Sequence, residues 1–125
     1  MSTPCCTAKP APKLKRLDAL TTVYSALSDP TRLRMLALIG LGEICVCHIH
    51  DSLGVPQPTA SRHLAYLRKA GLVETRRAGI WMHYRLATFA DPVIKTIVES
   101  ALHALTHTEV SARDHRRLQL ERAAS

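Results

Sequence analysis

Four cysteines carry the side chains best suited to chemistry in this 125-residue sequence. Cys5 and Cys6 are adjacent near its start, and Cys45 and Cys47 are separated by one residue. Thiolates can bind soft ions, act as nucleophiles or form redox pairs. The Cys-x-Cys spacing differs from the Cys-x-x-Cys of redox motifs, and the sequence has no Gly-rich phosphate loop or cluster of carboxylates. The cysteines therefore predict ion binding, and we do not expect an enzyme.

The spacing of Cys45 and Cys47 restricts how they could share an ion. On a regular helix two such residues are separated by about 200°, so both sulfurs meet one ion only if the helix start distorts. Two thiolates from the Pro-flanked arm, Cys5 and Cys6, together with Cys45 would suit trivalent arsenic or antimony. A fourth sulfur from Cys47 would instead suit cadmium, lead or zinc. Cys47 as an ordinary buried residue, and idle thiols on the arm, are the simpler alternatives.

Histidines offer a second set of candidate ligands. His103 and His107 are four residues apart, on the side of their predicted helix opposite its apolar residues. His48 and His50 follow Cys47 closely. The simpler interpretation of all four is a solvent-exposed helix surface.

The stretch from Gln57 to Gly71 has the pattern of a DNA-reading helix. Ala60, Leu64 and Leu67 fall on one side, which should pack inward. The other side offers donors, positive charge and a methyl group, which suit the acceptors and thymine methyls of the major groove. With the short helix before it, this predicts a helix-turn-helix. The expected DNA contacts on the reader helix are Gln57, Thr59, Ser61, Arg62, His63, Tyr66 and Lys69.

The charge distribution also favours DNA as the partner. Seventeen basic and ten acidic residues give a net charge of +7. Between Gln57 and Arg85, six Lys and Arg stand against Glu74 alone, a net charge of +5. A second basic run, from Lys9 to Arg16, is interpreted as a solvated segment. We therefore expect double-stranded DNA to bind across the reader helix and the residues that follow it.

Apolar spacing and punctuating residues predict a mainly α fold with one small β-hairpin. Asp29 and Pro30 are a helix cap and a first helical residue, and the helix they begin should bury Leu33, Leu36, Ala37 and Gly40. Two strand-like runs around residues 77–79 predict a hairpin that forms a wing, with Arg76 and Arg77 at its tip facing phosphates or the minor groove. The four helices predicted before the hairpin span residues 17–27, 31–41, 43–53 and 57–70, and the strands span 72–77 and 80–86.

A last helix begins at Asp91-Pro92 and carries a broad apolar stripe from Val93 to Leu105. A stripe of this size would be an exposed patch on a monomer, so we predict a homodimer surface shared with the first helix. The expected organisation is a flexible arm at 1–16, a winged helix-turn-helix with dimerisation helices at 17–108, and a charged tail at 109–125. Helix and frayed chain both remain open for the tail.

The compartment follows from what the sequence lacks. The longest apolar run is far shorter than the roughly 20 residues that a bilayer requires, and no secretory signal is evident. A cytoplasmic protein is expected, with its cysteines as free thiols or ion ligands.

Three motifs in order resemble the ArsR/SmtB family of metal-responsive repressors. They are Leu27-Ser28-Asp29-Pro30-Thr31-Arg32-Leu33-Arg34, Glu43-Ile44-Cys45-Val46-Cys47 and Pro58-Thr59-Ala60-Ser61-Arg62-His63-Leu64. Within the family, a Glu-Leu-Cys-Val-Cys box marks members that sense thiophilic ions, and the present box differs only by Ile44 in place of Leu. The resemblance covers roughly residues 17–105.

The resemblance implies a dimeric winged helix-turn-helix repressor that leaves its operator when an ion binds. The arsenic-sensing type with N-terminal cysteines is the nearest in pattern, which implies arsenite or antimonite as effector, with Cd(II), Pb(II) or Zn(II) as alternatives. Related sensors complete the site across the dimer, which implies Cys5 and Cys6 of one chain with Cys45 of the other. Zinc sensors of the family place Asp-x-His on the last helix, and here Asp91 is followed by Val93 instead.

Overall fold

The computed structural model describes residues 12–124, with side chains from residue 17 onward. Six helices and three short strands make up this part of the chain. In chain order they are α1 Pro12–Leu27, α2 Pro30–Ile39, β1 Ile44–Cys45, α3 Val46–Leu53, α4 Gln57–Lys69, β2 Val73–Ala78, β3 Trp81–Leu86, α5 Pro92–Leu105 and α6 Glu109–Ala124. The strands form one antiparallel sheet in the order β1-β3-β2. The mainly α winged helix-turn-helix predicted from the sequence is confirmed.

Helix α2 lies at the centre of the core. Its buried residues are Met35, Leu36, Leu38 and Ile39, whereas Leu33 and Ala37 are only partly buried and Gly40, just after the helix, is exposed. The predicted inward face of this helix was therefore wrong in part, because the pattern assumed a helix covered on one side. In the fold α2 packs against α1 and α4 and also against α5 and α6.

Two Asp-Pro pairs begin helices as expected. Asp29 accepts a hydrogen bond from the backbone N–H of Arg32 at 3.1 Å, and Pro30 is the first residue of α2. Asp91 does the same for the N–H of Val93 at 2.9 Å, ahead of Pro92 in α5. Each carboxylate satisfies a backbone donor that the first helical turn leaves unpaired.

The segment predicted as the start of the third helix is extended instead. Ile44 and Cys45 form β1 and pair with Tyr84 and His83 of β3. Helix α3 begins only at Val46. The prediction was wrong here because β1 pairs with a strand some 40 residues later in the chain. Such long-range pairing leaves no signal in the local periodicity of the sequence.

The reader helix and the wing lie where the sequence placed them, within one or two residues. Ala60, Leu64 and Leu67 of α4 are fully buried, as predicted. Gly54 ends α3 with φ of +70°, a left-handed conformation that glycine adopts without strain, and so makes the tight turn into α4. Strands β2 and β3 pair from Val73–Leu86 to Ala78–Trp81. Their turn is Gly79-Ile80, so Arg76 and Arg77 lie on β2 just before the tip.

Helices are present at both ends of the described residues. The first helix begins at Pro12, within the segment expected as an arm. The charged segment expected as a tail forms α6, which packs against α2 and α3 and buries Leu118 and Asp114. Over the described range, no helix combines the length and apolar character needed to cross a bilayer.

Candidate functional site

The sulfur atoms of Cys45 and Cys47 lie 3.0 Å apart. Cys45 is the last residue of β1 and the N-cap of α3, with φ −72° and ψ 144°, whereas Cys47 is already helical. The angular separation of about 200° that a regular helix would impose does not apply, because Cys45 is outside the helix. The strand-to-helix junction therefore brings together two thiols that a continuous helix would keep apart.

The two thiols sit at the edge of the core. Cys45 is 7% exposed and Cys47 is partly exposed, and both are free thiols. Burial and the neighbouring Cys45 thiol raise the pKa of Cys47 to about 11. The Cys47 thiol is therefore protonated near neutral pH, and an ion that binds it has to displace that proton.

The other proposed sulfur ligands, Cys5 and Cys6, lie outside the described residues. Within residues 17–124 no group of three or more His, Cys, Asp or Glu side chains is placed to hold a metal ion. The rings of His103 and His107 contact each other edge to face, with centroids 5.1 Å apart. The Nδ1 atom of His50 lies 3.4 Å from the carboxylate of Asp51.

The outer face of α4 presents most of the residues predicted to contact DNA. Its exposed members are Gln57, Ser61, Arg62, Tyr66 and Lys69, and its partly buried members are Thr59 and His63. The helix thus offers amide, hydroxyl and guanidinium donors on the face opposite its buried residues. This arrangement suits hydrogen bonding to base edges and phosphates.

Arg32 links three helices beneath this face, a role that the sequence did not reveal. Its guanidinium donates to the backbone carbonyls of Ala26 at 2.9 Å and Ser25 at 3.1 Å, both on α1. The same group stacks over the ring of Tyr66 with 4.1 Å between Cζ and the ring centroid. It also lies 3.4 Å from Nδ1 of His63. Two of the predicted DNA contacts, His63 and Tyr66, are therefore also held from within the chain.

Asp29 adds a carboxylate to this cluster. Its Oδ2 lies 3.9 Å from Nδ1 of His63. Burial acts to raise the pKa of Asp29, but the N–H of Arg32 and the nearby His63 and Arg32 side chains hold it below its usual range. The Asp-Pro-Thr-Arg motif thus starts α2 and orients the reader helix. The motif itself was visible in the sequence, but its partners were not.

The wing is connected to the segment that carries the cysteines. Arg76 of β2 makes a two-point ion pair with Glu43, in which Nε lies 3.1 Å from Oε1. This contact holds the pKa of the partly buried Glu43 carboxyl below its usual range, although burial acts to raise it. Cys45 pairs with His83 across the β1–β3 ladder. The thiol pair therefore contacts the wing through the pairing of Cys45 with β3. It is joined to the reader helix through α3.

The remaining wing residues differ in what they offer to DNA. Arg85 pairs with Glu74, with Nη2 3.1 Å from Oε1. Arg77 is exposed on β2, and Ile80 in the turn and Trp81 at the start of β3 are exposed beyond it. Arg77 is thus the predicted wing contact that needs no rearrangement, whereas Arg76 would have to share or leave Glu43.

Comparison with known proteins agrees with this architecture. Residues 29–75 match the family model described as bacterial regulatory protein, arsR family. The chain is 39% identical over 98 residues to the arsenic resistance transcriptional regulator ArsR1 of Pseudomonas putida, covering 74% of this chain and 77% of that protein. It is 41% identical over 80 residues to the arsenical resistance operon repressor of Escherichia coli, covering 63% and 68% respectively.

A solved structure supports the same assignment. The homodimeric winged helix-turn-helix DNA-binding domain of a possible ArsR-family regulator from Mycobacterium bovis superposes with a TM-score of 0.64 at 32% identity, covering 82% of this chain and 94% of that one. The relatives are regulators of transcription, as the sequence predicted, and not enzymes. The chain belongs to the ArsR family of bacterial regulatory proteins and is a DNA-binding transcriptional repressor of the winged helix-turn-helix type.

Proposed function

We propose that this repressor leaves its operator when trivalent arsenic or antimony binds through cysteine thiolates. The observation that carries the proposal is the 3.0 Å approach of the Cys45 and Cys47 sulfurs at the junction of β1 and α3. Two relatives whose names refer to arsenic resistance give further support. The repressor would act in the cytoplasm, where its thiols stay reduced.

The two sulfurs fit a shared thiophilic ion. At a metal–sulfur distance of about 2.3 Å and tetrahedral angles, two thiolates on one ion are about 3.8 Å apart. Cys45 and Cys47 would need to separate by less than about 1 Å to reach this spacing. The third sulfur would come from Cys5 or Cys6, from the same chain or across a homodimer. A trigonal three-sulfur site suits arsenite and antimonite, which are soft and commonly three-coordinate.

The position of the thiol pair indicates how ion binding would change the DNA-binding surface. Separating the sulfurs moves the end of β1 relative to the start of α3. Because Cys45 pairs with His83, this motion acts on the wing, and because α3 leads through Gly54 to α4, it also acts on the reader helix. By linkage, DNA must weaken ion binding by the same factor by which the ion weakens DNA binding, typically 5–150-fold.

DNA binding would involve two copies of the chain on a roughly palindromic operator. The half-sites would lie about one helical turn, 34–36 Å, apart. Reader-helix contacts from Gln57, Thr59, Ser61, Arg62 and His63 would approach base edges. Tyr66, Lys69, Arg76 and Arg77 would contact the backbone or the groove walls, so affinity should fall steeply with salt.

Operator release followed by fluorescence anisotropy tests the proposal. The probe is a labelled duplex from the region upstream of the gene for this chain, and arsenite, cadmium and zinc are titrated into the complex. We expect arsenite to release the wild type and to leave Cys45→Ser bound. An arsenite response in Cys45→Ser equal to that of the wild type would overturn the site.

The same titration separates the alternatives. A repressor of the same family tuned to cadmium, lead or zinc would release with those ions at lower concentrations than with arsenite. A constitutive DNA-binding protein would show no release with any ion. Release by zinc that survives loss of all four cysteines would move the sensor to His103 and His107.

A further inference from the structure

Helix α6 is fixed against the helix-turn-helix by a buried ion pair. Asp114 is 1% exposed and accepts two hydrogen bonds from the guanidinium of Arg34, at 2.8 and 2.9 Å. The same guanidinium donates to the carbonyl of Leu53 at 3.1 Å, at the end of α3. Leu118, one turn further along α6, is buried in the core. These contacts give α6 a defined place beside α3.

The contacts also define the direction of α6. Asp114 lies near Leu53, at the end of α3, whereas Arg122 donates to the carbonyl of Glu43 at 3.1 Å, just before α3 begins. Helix α6 therefore runs antiparallel to α3. Its first half lies beside the turn that connects α3 to the reader helix.

Arg117 lies directly over that turn. A Cβ atom placed on Gly54 would be 3.2 Å from Nη1 of Arg117, so the guanidinium is in contact with the turn backbone. Arg113 precedes Arg117 by four residues and is separated from it by about 40° around the helix, so both point to the same side. Arg116, by contrast, is about 200° from the buried Asp114 and points away from the domain. All three arginines are exposed.

We propose that α6 supplies a phosphate-binding contact, made by Arg117 with Arg113, which adds to those of the reader helix and the wing. In a helix-turn-helix the start of the reader helix enters the major groove and the preceding helix crosses the DNA backbone. The Gly54 turn is therefore close to phosphates, and a guanidinium lying over it is placed to donate to them. Guanidinium groups match phosphate oxygens with paired hydrogen bonds.

The contact would position the protein on DNA without reading its sequence. This inference rests on the proposed binding of operator DNA. It extends the DNA-binding surface from the reader helix and the wing to α6. Because Arg34 and Asp114 join α6 to both α2 and α3, the contact would follow α3 as one body when the thiol pair rearranges.

The salt dependence of DNA affinity tests this proposal. Anisotropy is measured with the upstream duplex and with a shuffled duplex for the wild type, Arg117→Gln, Arg117→Lys and the matched control Arg116→Gln. Each phosphate contact contributes about 0.9 to the slope of log affinity against log salt. Arg117→Gln removes one contact from each chain of a dimer, so the slope should become shallower by about 1.8 for both duplexes. Between about 50 and about 200 mM salt, the affinity of this variant should therefore fall by a factor about 12 times smaller than that of the wild type.

The controls distinguish a phosphate contact from a structural role. We expect Arg117→Lys to keep most of the wild-type slope and Arg116→Gln to keep all of it, with melting temperatures unchanged. An Arg117→Gln protein with the wild-type slope would overturn the inference, whether or not it melts earlier. Absence of wild-type binding to the upstream duplex would instead refute the proposed operator binding, while the shuffled duplex would still report on the phosphate contact.

Discussion

The conformation of Cys45 determines what chemistry the thiol pair can do. Its extended backbone places the side chain ahead of the first turn of α3, and Cys47 lies within that turn. The Cys47 sulfur is therefore near the positive end of the helix dipole, which favours a thiolate over a thiol. In the ion-free protein this effect is outweighed at Cys47, where burial and Cys45 raise the pKa to about 11. An ion supplies the positive charge that would make two adjacent thiolates stable.

Replacing Cys47 tests whether it is a ligand or only a buried residue. We expect Cys47→Ser to lose arsenite-driven release of DNA to nearly the same extent as Cys45→Ser, because a three-sulfur site drawn from the pair and the arm then lacks one member. The measurement is the arsenite concentration that gives half-release in the anisotropy assay.

Alkylation with iodoacetamide provides the complementary control. Burial of Cys45 and the raised pKa of Cys47 already make their alkylation slow in the wild type, and arsenite should lower both rates further, as measured by peptide mass spectrometry. If Cys47→Ser keeps the wild-type half-release concentration, the site is built from Cys45 and the arm alone, and Cys47 is a packing residue.

The sequence singled out these cysteines as candidate ligands but did not predict their geometry. Spacing and motif were enough to select Cys45 and Cys47, because residue types and their order can be read directly from the sequence. The convergence of their sulfurs depends on β1, which exists because β3 offers Ile44 and Cys45 a partner. Such long-range pairing overrides local helix propensity and is invisible to periodicity.

At the scale of elements, Arg32 connects the end of α1, the start of α2 and the reader helix. Replacing it with alanine should leave the buried carbonyl of Ala26 without its donor and remove the stacking on Tyr66. We expect Arg32→Ala to lower the free energy of unfolding by about 1–3 kcal/mol, measured by urea denaturation.

Arg62→Ala is the matched control for this prediction. It removes an exposed arginine from α4, so its stability should stay within about 0.5 kcal/mol of the wild type while its affinity for DNA falls. Equal stability of the two variants would show that the Arg32 contacts contribute little to holding the reader helix.

The attachment of α6 depends on the Arg34–Asp114 pair. Loss of one partner from a buried pair leaves the other charge uncompensated, at a cost of about 3–5 kcal/mol. Arg34 keeps 21% of its side chain exposed, so water offsets part of that cost. We expect Asp114→Ala to destabilise the protein by about 3 kcal/mol in urea denaturation, the lower end of the range.

A double variant separates charge burial from lost packing. Arg34→Met with Asp114→Leu removes both charges and keeps apolar volume, so it should recover most of the stability that Asp114→Ala loses. If the double variant is as unstable as the single one, the pair acts mainly through its geometry and its hydrogen bond to Leu53.

The same pair explains why α6 was hard to predict. The segment is charged and suits a helix or a frayed tail equally well, because the ion pair that ties it to the domain joins residues 80 positions apart. The reader helix, by contrast, carries an unbroken apolar stripe, and its bounds were predicted to within one residue. Local patterns located the helices that bury an apolar stripe of their own, and they left open whether the segment anchored by a distant charge is helical.

For the whole molecule, three exposed apolar side chains mark the expected homodimer surface. Leu17 and Tyr24 on α1 are 55% and 57% exposed, and Val93 on α5 is 41% exposed. A charge placed among them would have to be buried without a partner on association. We expect Tyr24→Glu to raise the dimer Kd by at least about tenfold, equivalent to 1.4 kcal/mol, as measured by sedimentation velocity.

Leu120→Glu is the control for Tyr24→Glu, because Leu120 is 70% exposed but belongs to α6 and not to α1 or α5. It should remain as dimeric as the wild type and bind the upstream duplex with similar affinity. Tyr24→Glu should bind that duplex more weakly, since a monomer contacts a single half-site and loses half of the phosphate contacts. A Tyr24→Glu protein that stays dimeric would place the interface elsewhere, and a Leu120→Glu protein that dissociates would place it on α6.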